Sequence, residues 1–174
     1  MLLSDGSGLS HFAKSLAGLA LLGVLAGCQV RPLYSTASGT EGKLASVSIS
    51  SADDRVEQQV RNDLIFLFAG GAGEPQSPVY HLDLNVSVRN IGVLLDVTDD
   101  IPRAGRIVVS ADYNLVKTDS GETIASGKRQ TVALVDFPVQ EFAKLRAVRD
   151  AENRGARELA ELIRADIASA LGRR

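Results

Sequence analysis

The sequence predicts an α+β fold: a two-layer sandwich with two helices packed on one face of a four-stranded, mostly antiparallel sheet. Three observations predict it. Residues 80–89 and 107–115 alternate apolar and polar with a period of two, the mark of strands with one packed and one wet face. Residues 54–69 and 139–172 place their apolar side chains at helical spacing instead. The elements follow in the order β-α-β-β-β-α, with turn chemistry between them.

The chain opens on residues that this fold does not need. His11 and Lys14 form a weakly positive start, and Leu16 to Gly27 form an apolar run. A membrane-spanning helix needs about 20 such residues, so residues 1–27 read as an export signal that is removed. Small residues Ala26 and Gly27 precede Cys28, the only cysteine of the chain. One cysteine excludes an internal disulfide framework. With only His11 and His81 beside it, a zinc site is essentially unavailable, and no metal site is expected. Residues 35–43, STASGTEGK, read as a flexible tether, so 28–43 is expected to link Cys28 to a single domain over 44–174.

Residues 44–50 alternate and predict a short strand. Asp53 or Asp54 caps the following helix, placed at 54–69 by Val56, Val60, Leu64, Leu67 and Phe68. Gly70 and Gly71 stop it. The run Leu64 to Phe68 is apolar all round, which predicts burial or a partner at that helix end. Gly70 to Gly73 lack the Lys-Ser/Thr of a phosphate loop and serve as connector. In the next strand Tyr80, Leu82, Leu84, Val86 and Val88 face the core, and His81, Asp83, Asn85, Ser87 and Arg89 face water. This strand extends toward a turn at Asp99, Asp100 and Pro102. Residues 106–135 form a hairpin of long strands closed at Gly121.

The final helix, 139–172, carries an apolar stripe through Phe142, Leu145, Val148, Ala151, Ala156, Leu159, Ile163, Ile167 and Leu171. It would reach about 45 Å, with Gly155 as a point where it could kink or break.

Composition narrows function. Net charge is −2, with five Phe, three Tyr and no Trp. Neither a basic field nor stacking surface is supplied for nucleic acid, so no nucleic-acid partner is expected. No Ser/His/Asp or Cys/His constellation is visible in the sequence, and no catalytic residue is assigned. The paired carboxylates Asp53-Asp54 and Asp99-Asp100 fit helix capping and a turn better than acid/base chemistry.

Leu25-Ala26-Gly27-Cys28 resembles the bacterial lipobox, which implies that Cys28 becomes the first residue and carries diacylglycerol and an N-acyl chain. No other cofactor is expected. Two or three acyl chains make a stable membrane anchor, where a single one does not. Gln29 rather than Asp after the cysteine implies the outer membrane, with the domain on its periplasmic side.

The residues beyond the cysteine resemble a particular family. Cys28-Gln29-Val30-Arg31-Pro32-Leu33-Tyr34 is similar to the mature start of the LPS-assembly lipoproteins LptE (RlpB), Cys-Gly-Phe-(Arg/Gln)-Pro-Leu-Tyr. It departs at Gln29 and Val30 and keeps Arg-Pro-Leu-Tyr. Leu145-Arg146-Ala147 and Asp150-Ala151-Glu152 resemble the alphaproteobacterial branch. The resemblance implies two helices on a four-stranded sheet and a non-enzymatic role. It implies a plug within the LptD β-barrel that assists barrel assembly and binds lipopolysaccharide. An anionic ligand needs exposed cations, and the candidates are Arg89, Arg103, Arg106, Lys117, Lys128 and Arg129. Lys128 and Arg129 are adjacent on a strand, so they point to opposite faces. The alternative is an auxiliary lipoprotein of another envelope lipid transporter, or a secretin pilot lipoprotein.

Overall fold

Asp54 starts the first long helix. Its Oδ1 accepts from the backbone N–H groups of Val56 at 2.8 Å and Glu57 at 2.9 Å, satisfying two donors that the first helical turn leaves unpaired. The helix ends where Gly70 turns into the left-handed region at φ +58°.

A computed structural model describes residues 39–95 and 102–173. The leader, Cys28 and the turn at Asp99-Asp100 lie outside the described residues. The elements are α1 (Thr40–Leu44), β1 (Val47–Ile49), α2 (Arg55–Ala69), β2 (Tyr80–Leu95), β3 (Pro102–Lys117), β4 (Thr123–Asp136) and α3 (Glu141–Gly172). The sheet order is β1-β2-β3-β4. β1 lies parallel to β2 and is joined to it by α2. β2–β3 and β3–β4 are antiparallel. The predicted α+β architecture is therefore the observed one.

The core lies between sheet and helices. Leu82, Leu84 and Val86 of β2, Ile107, Val109, Ala111, Tyr113 and Leu115 of β3, and Thr131, Ala133 and Val135 of β4 are buried. They meet Val56, Val60, Leu64 and Phe68 of α2, and Ala151, Ala156, Leu159, Ile163, Ile167 and Leu171 of α3.

Two expectations need correction. The strand expected over 44–50 is only Val47–Ile49, and Leu44 instead closes the one-turn helix α1. Thr40 and Leu44 are buried, so residues 40–43 belong to the folded body rather than to the tether. Lys43 Nζ donates to the Leu171 carbonyl at 3.0 Å, placing a cation at the negative end of α3.

Gly155 does not break α3, which runs unbroken for 32 residues. Its missing side chain lets the helix close on the sheet. A Cβ there would stand 2.8 Å from Val109 Cγ2, and Thr131 Oγ1 donates to the Gly155 carbonyl at 2.9 Å.

The apolar stripe of α3 is buried from Ala151 onward, but Phe142 and Leu145 are exposed. The reason is the start of α2. Arg55, its first residue, bonds Glu152 and Asn153, so the turns of α3 before residue 152 extend past the end of α2.

Candidate functional site

With both long helices on one side, the other face of the sheet presents the second set of strand side chains. Cross-strand pairing arranges them in rows: Ile91–Arg106–Leu134, Arg89–Val108–Val132, Ser87–Ser110–Gln130, and Asn85–Asp112–Lys128. The rows differ in character. Toward the end of β2 and the start of β3 they combine Arg89 and Arg106 with Ile91, Val132 and Leu134. Leu134 is 72% exposed and Val132 is 47% exposed. Toward the opposite end they are polar, and Lys128 Nζ pairs with Asp112 at 2.9 Å.

The structure separates the six candidate cations. Arg89 and Arg106 are diagonal neighbours on this open face, a relation that sets residues about 7–8 Å apart, within reach of long side chains. Both are exposed, and among the described residues neither has an ion-pair partner. Lys128 shares the face but is engaged by Asp112. Lys117 ends β3 and is held by Asp119 at 2.9 Å. Arg103 is on β3, and its side chain lies outside the described residues. Arg129 points to the helix layer, so it and Lys128 do lie on opposite faces.

Arg129 is committed there. Its Nε and Nη2 donate to Asp166 Oδ2 at 2.6 Å and Oδ1 at 2.7 Å, a bidentate pair. The Tyr113 hydroxyl donates to Asp166 Oδ2 at 2.6 Å. The Arg129 guanidinium is the largest influence on Asp166 and holds its carboxyl below the ordinary range. Burial, then the Asp166 bond, pushes the Tyr113 phenol up to about 12. Gly127 makes room, since a Cβ there would lie 2.6 Å from the Tyr113 oxygen.

An open cavity of about 540 Å³ lies beside the polar rows, lined in part by Asp53, Glu57, Asp83 and Asp112. Four carboxylates repel an anion. Burial pushes the Glu57 carboxyl above its ordinary range, against hydrogen bonds from the backbone at Asp53 and Val86. Among the described residues no carboxylate, His or Cys cluster could hold a metal ion.

One grouping escaped the sequence. Register sets Ser48 beside His81, and Ser48 Oγ lies 2.9 Å from His81 Nδ1. His81 Nε2 lies 3.4 Å from Asp83 Oδ1. A Ser, a His and an Asp thus stand in line. The serine hydroxyl also donates to the Tyr80 carbonyl at 3.3 Å, and the Asp83 side chain is 60% exposed. A working triad requires a serine free to attack and a buried carboxylate to orient the base. This trio has neither, and it is read as polar ties across the β1–β2 edge.

The apolar outward residues also escaped the alternation argument. Their signal was present, because the runs Ile107-Val108-Val109 and Val132-Ala133-Leu134-Val135 interrupt alternation. Strands apolar on both faces are strands whose two faces meet something.

No described helix is long and apolar enough to cross a membrane. The chain is similar over 75% of its length to a candidate lipoprotein from Caulobacter crescentus CB15. That match covers 93% of the other chain, with 26% identity and a TM-score of 0.62. The rare lipoprotein B from Shewanella oneidensis matches at 18% identity and a TM-score of 0.51, covering 71% of this chain and 93% of that one. The latter likeness is one of fold. No curated protein matches the sequence. The family model described as LptE, lipopolysaccharide-assembly, matches residues 44–167, nearly the whole described body. The chain belongs to the LptE lipopolysaccharide-assembly family.

Proposed function

We propose that this chain is an outer-membrane lipoprotein, anchored through acylated Cys28, that plugs an LptD-like β-barrel, helps it assemble and binds lipopolysaccharide. The family match over residues 44–167 carries the reading. A rigid two-layer body with polar strand faces suits a large barrel, whose interior is polar. The role is structural and recognitive, and no residue is assigned to catalysis.

Lipopolysaccharide is an anionic amphiphile. The open sheet face offers what such a ligand needs at one end only. Arg89 and Arg106 are spaced so that both guanidinium groups can reach one phosphate. Ile91, Val132 and Leu134 lie in the same two rows and supply apolar surface for acyl chains.

Binding of purified lipopolysaccharide to the chain from residue 28 tests this. Arg89→Glu with Arg106→Glu should weaken binding about tenfold or more, since each charge-assisted bond contributes about 1.5–3 kcal/mol. Lys128→Gln should change it little. A double variant that binds like the unchanged chain would remove the open face from the reading.

A further inference from the structure

The turns of α3 that extend past α2 expose a surface the open sheet face does not include. Val139, just before the helix, is 75% exposed, Phe142 is 72% exposed and Leu145 is 59% exposed. Phe142 and Leu145 line an open groove of about 560 Å³ with Arg146, Arg149, Asp150 and Asn153. Between residues 139 and 149 there are three cations, Lys144, Arg146 and Arg149, and one carboxylate, Glu141. The Arg146 guanidinium lies 5.8 Å from the centre of the Phe142 ring. Asp150 is already engaged by Arg154.

We propose that this segment is a membrane-docking surface: Val139, Phe142 and Leu145 enter the headgroup region of a phospholipid bilayer, and Arg146 and Arg149 meet its anionic phosphates. Large apolar side chains interleaved with cations on an exposed helix face are the chemistry of an interfacial helix. The long arginine stems lie along the apolar layer while their charges stay with the phosphates. The charge selects among occupants. A second copy would bring two net-positive surfaces together, and a polar barrel wall would leave three large apolar side chains unmatched.

The proposal goes beyond the barrel and lipopolysaccharide reading and does not depend on it.

The test is flotation of the chain from residue 28, with Cys28→Ser to remove the acyl anchor. The probes are phosphatidylethanolamine/phosphatidylglycerol vesicles, phosphatidylcholine vesicles and lipopolysaccharide aggregates. Binding to the anionic vesicles, about tenfold weaker on phosphatidylcholine and screened by salt, is expected. Phe142→Ser with Leu145→Ser, and separately Arg146→Glu with Arg149→Glu, should each reduce it about tenfold with melting temperature unchanged. The proposal is overturned if the unchanged chain stays unbound, if it takes up lipopolysaccharide alone, or if both variants float like the parent. A photo-crosslinker at Phe142 in intact envelopes should capture phospholipid; capture of a barrel polypeptide or of a second copy instead would also overturn it.

Discussion

Tyr113 and Arg129 donate to the same oxygen, Asp166 Oδ2, each at 2.6 Å. Tyr113 is on β3, Arg129 on β4 and Asp166 on α3, so one carboxylate ties two strands to the long helix. This cluster takes Arg129 out of the set of free cations.

Asp166→Asn should destabilise the fold by about 1–2 kcal/mol, the low end for charge-assisted bonds because Arg129 is half exposed. The pH dependence has a defined sign. Asp166 has a folded-state pKa below its ordinary value of 3.8, so its contribution is full above about pH 4 and is lost as pH falls through the lower folded value. Tyr113 is raised from 10.0 to about 12, so its contribution is full below pH 10 and is lost as pH rises through that raised value. In Asp166→Asn the acid-side loss should shrink. Tyr113 should titrate lower than in the parent yet above 10.0, because burial is its larger cause. Denaturant melts across pH and phenolate absorbance check both.

Gly155→Ala improves helix propensity by about 1 kcal/mol, yet it should destabilise. The added Cβ would sit 2.8 Å from Val109 Cγ2, and overpacking of that kind costs about 1–3 kcal/mol. The net expected loss is up to about 2 kcal/mol, or up to about 8 °C in Tm for a body of this size. Combined with Val109→Ala, the double variant should lose less than the sum of the two single losses, because trimming Val109 removes the atom that the new Cβ meets. Strict additivity would mean that Gly155 is not present for this approach.

Cys28→Ala should abolish acylation and move the chain out of the membrane fraction. Palmitate labelling of the variant would show that the lipid is attached elsewhere and would remove the anchor from the account.

The strands were legible because alternation is a local property. Tyr80 through Val88 and Ile107 through Leu115 state which face is packed without reference to any partner. The six-residue separation of Leu95 from β3 hides the register, so the sequence places Arg89 and Arg106 on one face but does not show them as diagonal neighbours. Periodicity in α3 identifies an apolar stripe and says nothing of what covers it. Burial stops short of Phe142 and Leu145 because α2 begins at Arg55, against Glu152, which is a tertiary fact. Leu44 was misplaced for a different reason: a five-residue helix is too short to show a period. Ser48 beside His81 needed the parallel β1–β2 pairing, which joins residues 33 positions apart.

The proposed function makes the chain the partner of an outer-membrane barrel. Affinity purification of the full chain from detergent-solubilised outer membranes tests it most directly. One large β-barrel protein should be recovered in stoichiometric amount. Recovery of an inner-membrane lipid transporter, or of the chain with no barrel at all, would contradict it.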